Sequence, residues 1–237
     1  MRDQPEQQAP PVQRLRVRYA KRGRLRFTSH RDFSRAFERA LVRARIPMAY
    51  SSGFNPHPRI SYAGAAPTGA ASEAEYLEIG LAEVADPTSV LADLDEALPT
   101  GLDVVSVVEA APGSLADRLE VSRWRVDLTG ATPDVVQTAV RSFLAAPAVS
   151  VDRMTKKGLR TFDTRAAVLQ LAVTAYDHGT RLDVLLRHTV PAVRPDDVLT
   201  GLRQVGGLEV SGPPLMTRVA QGPYDEASGT VGDPLST

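Results

Sequence analysis

Four histidines and one dense run of arginines are the residues of this 237-residue chain whose types could do chemistry. Residues 14–59 read RLRVRYAKRGRLRFTSHRDFSRAFERALVRARIPMAYSSGFNPHPR. The run holds thirteen Arg or Lys against two acids, Asp32 and Glu38, a net +11. The whole chain is formally neutral, so the remaining residues sum to −11. A basic block this local attracts polyanions in a way that the overall charge conceals. The competing reading is a solvated cationic face that pairs with the acidic remainder of the molecule.

Arginine forks suit phosphate oxygens, and an exposed aromatic such as Phe54 suits stacking on an unpaired base. The footprint expected for RNA or phosphate is therefore Lys21, Arg22, Arg24 and Arg26, followed by Arg31, Arg35, Arg39 and Arg43. Phe54, Asn55, His57 and Arg59 would complete its edge. His30 and His57 border the block, and histidine is the side chain that moves protons near neutral pH. With Ser29, Tyr50, Ser51 and Ser52 nearby they are weak candidates for an RNA-cleaving group. The plainer expectation is that they donate hydrogen bonds and that no residue is catalytic. His178 reads as a turn residue and His188 as a strand end. Glu73 and Glu75 are expected to pair with arginines. Lys156 and Lys157, with Arg160 and Arg165, form a weaker basic feature on a tight turn.

Several classes of function drop out. A chain without cysteine holds no disulfide, thiolate metal site, cysteine nucleophile or iron–sulfur cluster. Phosphate-binding glycine loops, dinucleotide turns and His-Glu-x-x-His pairs are absent, and the histidine spacings match no metal site. No metal or cofactor is expected. No apolar run approaches the roughly 18 to 20 residues that span a bilayer, so no membrane contact is expected. The first residues, MRDQPEQQAPPVQ, lack the apolar core of a signal peptide, and the expected compartment is the cytoplasm.

The elements that would position these groups follow from periodicity. Leu15, Val17 and Tyr19 alternate with Arg14, Arg16 and Arg18, a half-buried strand with a cationic outer face. A turn at Lys21, Arg22 and Gly23 leads to an extended 25–27. Ser29 and Asp32 have the spacing of a helix N-cap with an acid three residues on. The helix runs to about Arg45, before Pro47. Phe33, Ala36, Phe37, Ala40, Leu41 and Ala44 share its apolar side. Arg31, Arg35, Arg39 and Arg43 form a ridge beside it. Pro56 and Pro58 stiffen the loop over 51–59. Strands over 60–63, 75–81 and 102–108, with a helix over 86–98, complete a β-α-β-β-α-β order. The second half repeats it, with strands over 121–128, 149–162, 168–176, 182–188 and 208–219 and helices over 132–145 and 195–204.

The expectation is thus an α+β protein of two tandem ferredoxin-like (βαββαβ) halves, with antiparallel sheets and helices on one face. Residues 14–112 form the basic half and 113–221 the second. Disordered tails are expected over 1–13 and 222–237.

Three segments, KRGRLRFTSHRDFSRAFERALVRARIPMAYSSGFNPHPRIS, PTGAASEAEYLEI and KGLRTFDTR, resemble the radical SAM-linked protein family, also called the DUF2344 family. The similarity is densest over 21–79. Arg31 stands where the family usually has leucine. The resemblance implies a companion of a radical SAM enzyme encoded separately or fused, in a setting of RNA metabolism. It assigns no catalytic residues. The expected function is a non-catalytic RNA-binding or substrate-delivery partner of that enzyme, in tRNA or rRNA modification or metabolism. DNA is not specifically implied. Two alternatives stay open: an RNA endonuclease built like CRISPR endonucleases and using a histidine, and a pure protein–protein adaptor for the radical enzyme.

Overall fold

The computed structural model describes residues 7–155, 158–176 and 179–236. The chain divides into two compact units, one ending at Arg118 and taking in the C-terminal residues from Pro234, the other Leu119–Asp233. The division falls six residues beyond the expected 112/113 boundary.

The first unit runs β1 (Gln13–Lys21), α1 (His30–Arg43), β2 (Ile60–Ala63), β3 (Ala71–Leu81), α2 (Pro87–Ala97) and β4 (Leu102–Glu109). Its strands lie in the order β4-β1-β3-β2, every neighbour antiparallel. Leu15 and Val17 stand opposite Ile79 and Leu77, and this side of the sheet packs with Phe33, Phe37, Ala40 and Leu41 of α1 into one core. Phe33 stacks on Tyr19 at 4.4 Å between ring centres. The other side of β1 carries Arg14, Arg16 and Arg18.

Helix α1 starts where expected: the backbone N–H of Asp32 donates to Ser29 Oγ, and Ser29 Oγ donates to Asp32 Oδ2. It ends in a Schellman turn, with Ile46 N–H donating to Leu41 O and Arg45 N–H to Val42 O. That turn puts Arg45 at φ 54°, the left-handed conformation that usually falls to glycine. A further difference lies just before the helix. Residues 23–27, expected to be partly extended, form a 3-10 turn, with Leu25 N–H donating to Arg22 O and Thr28 N–H to Leu25 O.

The second unit runs β5 (Val121–Leu128), α3 (Pro133–Ala145), β6 (Ser150–Thr155), β7 (Gly158–Asp163), β8 (Val168–Tyr176), β9 (Gly179–Arg187), α4 (Pro195–Gly206), β10 (Leu215–Gly222), β11 (Tyr224–Asp225) and β12 (Thr230–Val231). Its main strands lie β10-β5-β9-β8, again antiparallel, and β6 pairs with β7 as a separate ribbon. The last long strand begins only at Leu215, after Pro213 and Pro214, because consecutive prolines withhold two ladder donors. The stretch after Gly222, expected to be disordered, pairs β11 with β12, and Arg123 and Gln170 donate to Gly229 O. At the other end, residues 7–12 belong to the first unit. Gln8 N–H donates to Ser52 Oγ and Val12 N–H to Leu81 O. Among the described residues no helix is long and apolar enough to cross a membrane.

Candidate functional site

The basic block separates into two populations. On β1 the register sets Arg16 opposite Glu78, so the two side chains meet across the strands. Arg16 is 0% exposed; its Nε lies 3.2 Å from Glu78 Oε2, and Nη2 donates to Ala111 O and Gly113 O. Arg14 reaches the other oxygen of Glu78 at 3.1 Å. Arg18 donates through Nε to Glu73 O. The cationic outer face expected for this strand is therefore partly neutralised, by one carboxylate shared between Arg14 and Arg16, and partly buried. A guanidinium taken out of water must find a carboxylate and carbonyls, or its cost is prohibitive.

Lys21 is likewise buried, its Nζ 3.5 Å from Pro67 O. Arg22 forms ion pairs with Glu73 and with Asp103, and the hydrogen bond to Glu73 above all holds its guanidinium charged. Both residues belong to the fold and not to an open footprint. Glu73 is paired with an arginine as expected. Glu75 is buried and accepts from Ala66 N–H. Arg26 folds over the ring of Phe27 at 4.5 Å. Phe27 is 59% exposed, an aromatic at the foot of α1 that periodicity alone did not mark out.

The second population is open. Arg31, Arg35, Arg39 and Arg43 are exposed along α1 and, like Arg24, make no ion pair or hydrogen bond among the described residues. Successive members stand about 6 Å apart along the helix axis. Each like-charged i, i+4 pair costs a helix about 0.2–0.5 kcal/mol, and Arg31 sits against the helix dipole at the N-terminal end. Asp32 and Glu38 lie on the same helix without pairing to these arginines, and at the C-terminal end Arg43 and Arg45 line a groove with Asp93 and Glu96 of α2. The ridge is a row of four unpaired arginines against two acids on the same helix, an arrangement that like-charge repulsion at i, i+4 disfavours.

The loop over 51–59 is well braced. Ser51 N–H donates to His57 O, His57 N–H to Ser51 Oγ, and Arg59 N–H to Ala49 O. It presents Phe54, 70% exposed, with Asn55 and His57 also exposed. The loop does not close over the arginine ridge. It instead borders a cavity of about 310 Å³ with Arg14, Ser61, Glu78 and Gly80 of the strands. Ser61 and Glu78 stand opposite each other and Arg14 stands opposite Gly80, while the alternating Leu77 and Ile79 turn to the helices. The footprint expected to run from the helix to the loop is thus divided between two surfaces, the ridge on α1 and a separate cavity.

The histidines part company as well. His30, the first residue of α1, stands edge-on to Tyr62 at 4.8 Å and is exposed. His57 lines the cavity. His188 is exposed just beyond β9, but its bonded ring edge is part-buried and Nδ1 meets Leu119 O at 2.7 Å; a carbonyl only accepts, so Nδ1 carries the proton. Burial pushes its pKa below the ordinary value. His178, Lys156 and Lys157 lie outside the described residues. Arg160 is exposed, whereas Arg165 donates to Leu144 O and Val168 O and is structural. Among the described residues no three His, Asp or Glu side chains converge as a metal site would require.

Fold and surface together define an α+β protein with one unneutralised cationic helix. The chain belongs to the DUF2344 family, whose model, described as an uncharacterized protein conserved in bacteria, matches residues 14–195. No curated protein matches it. Among solved structures it is similar to a chain of the "Crystal Structure of a Cbf5-Nop10-Gar1 Complex", at 9% identity and a TM-score of 0.48. That likeness covers 94% of this chain and 56% of the other, so the chain spans little more than half of that protein's length.

Proposed function

We propose that this chain is a non-catalytic RNA-binding or substrate-delivery partner of a separately encoded radical SAM enzyme, in the cytoplasm and in tRNA or rRNA modification or metabolism. One observation carries the RNA part. Arg31, Arg35 and Arg39 remain exposed and unpaired on a helix whose stability they do not help, while Arg14 and Arg16 of β1 are both tied to Glu78. A row of guanidiniums at helical spacing offers bidentate donors to successive phosphates. The exposed rings of Phe27 and Phe54 add stacking surface for unpaired bases. The radical enzyme rests on the family resemblance and on a chain without cysteine, which leaves the cluster to another polypeptide. Reading both units as ferredoxin-like rests on their common order of elements and strands.

Salt titration of single-stranded RNA binding tests the reading. Changing Arg35→Glu together with Arg39→Glu should lower affinity at least roughly tenfold and flatten the slope of log affinity against log salt by about 1.4, two phosphate contacts at ~0.7 each. An unchanged slope would remove the ridge from the interface. Co-purification of the radical enzyme with the wild-type chain tests the partner independently.

A further inference from the structure

The cavity beside β2 is not part of the ridge, and its chemistry differs. Arg59 is fixed at its mouth: Nε donates to Tyr50 O at 3.1 Å, and its backbone is clamped between Ala49 O and Gly80 N–H. Both terminal nitrogens of that guanidinium are without a partner among the described residues. The His57 ring is in the same condition on the braced loop, and the hydroxyls of Ser51 and Ser61 complete a set of donors around about 310 Å³. Gly80 is needed for this geometry, because a Cβ there would lie 3.0 Å from Pro11 and 3.4 Å from the Arg59 Cβ.

Charge selects the ligand. Glu78, the one carboxylate lining the cavity among the described residues, is shared by Arg14 and Arg16. Three guanidiniums at or next to the cavity, Arg14, Arg16 and Arg59, therefore face one carboxylate, leaving two positive charges. A phosphate monoester carries close to two negative charges at neutral pH, whereas each diester of an RNA backbone carries one. The volume lies at the lower end of small-molecule sites, enough for a nucleotide-sized group. We propose that this cavity binds a terminal phosphate monoester, supplied either by a free mononucleotide or by the 5′ end of an RNA, with Arg59 and His57 as its principal donors. The assignment is independent of the arginine ridge.

Equilibrium binding to the full chain separates the cases, using adenosine 5′-monophosphate against adenosine and a 5′-phosphorylated single-stranded oligoribonucleotide against its 5′-hydroxyl twin. The expected result is a preference of at least roughly tenfold for the phosphorylated member of a pair, typical of losing charge-assisted donors. A preference with the mononucleotide assigns a free ligand; one confined to the oligonucleotide assigns an RNA end. Arg59→Gln should abolish the preference, and the Arg35→Glu/Arg39→Glu protein should keep it even where overall RNA affinity is lost. His57→Ala, which removes no contact within the described fold, should weaken the preference several-fold and serves where Arg59→Gln disturbs the loop. No preference in either pair, or one that withstands both Arg59→Gln and His57→Ala, overturns the proposal.

Discussion

Helices α1 and α3 hold the same place in the order of elements of their two units, and their inner faces are built alike. Phe33, Phe37, Ala40 and Leu41 are buried on α1; Val136, Ala139, Val140 and Phe143 are buried on α3. Their outer faces share almost nothing. The exposed positions of α3 include Asp134, Val135, Thr138, Ser142 and Leu144, with Arg141 as the single basic residue. Two helices with one core requirement and such different surfaces show that the fold does not ask for an arginine ridge. The ridge on α1 therefore needs a reason outside the fold, and a polyanionic partner supplies one.

The first strands of the two units extend the comparison and give the largest expected effect. Arg16 of β1 and Arg125 of β5 both pair with an acid on an adjacent strand, but Arg16 is buried against Glu78, while the Arg125–Asp183 pair is 3.9 Å apart with Arg125 half exposed. Arg16→Ala leaves Glu78 Oε2, Ala111 O and Gly113 O without their donor in a place with little water. It should cost about 3 kcal/mol or more in urea unfolding. Arg125→Ala should stay within about 0.5 kcal/mol. Equal losses at the two positions would mean that burial does not divide these arginines as drawn here. Arg22→Ala falls between them. Its two acids are shared but a third exposed, and about 1 kcal/mol is expected in the same assay, with RNA affinity changed by less than about threefold.

How far the sequence revealed this division depends on the range of the interactions. The cap at Ser29, the apolar stripe from Phe33 to Leu41 and the arginine ridge are local, and their spacing announces them. Arg16 reaches Glu78 across 62 positions, and Arg22 reaches Glu73 and Asp103 across 51 and 81. Nothing local distinguishes a cation with such a partner from one without. A clue was available in β3, where inward Leu77, Ile79 and Leu81 leave Glu78 facing outward, but only strand register brings it opposite Arg16. The cavity escaped for the same reason, since Arg14, Ser61, Glu78 and Gly80 come from three strands. The turn at 23–27 read as strand because its alternating Arg and Leu imitate a period of two.

The smallest effect contrasts the units by pH. His188 in the second unit titrates below its ordinary value, chiefly through desolvation of its ring, opposed by the bond to Leu119 O and helped by a smaller contribution from Arg218. The unfolded chain takes up a proton at this position near pH 6.5. The folded unit resists doing so until lower pH. Its stability from this group is complete above about pH 6.5 and is lost as pH falls through the folded value. Asp197 acts in the opposite sense, since burial raises its pKa and the folded unit takes its proton first. A His188→Gln variant separates the two contributions, because glutamine can still donate to Leu119 O yet does not titrate. Trp124, the single tryptophan and buried in the second unit, reports its unfolding by fluorescence. Between pH 7 and 5.5 the wild-type unit should lose stability that the variant keeps. Parallel pH profiles would show that folding does not shift the titration of His188, and the desolvation assigned to it would be wrong.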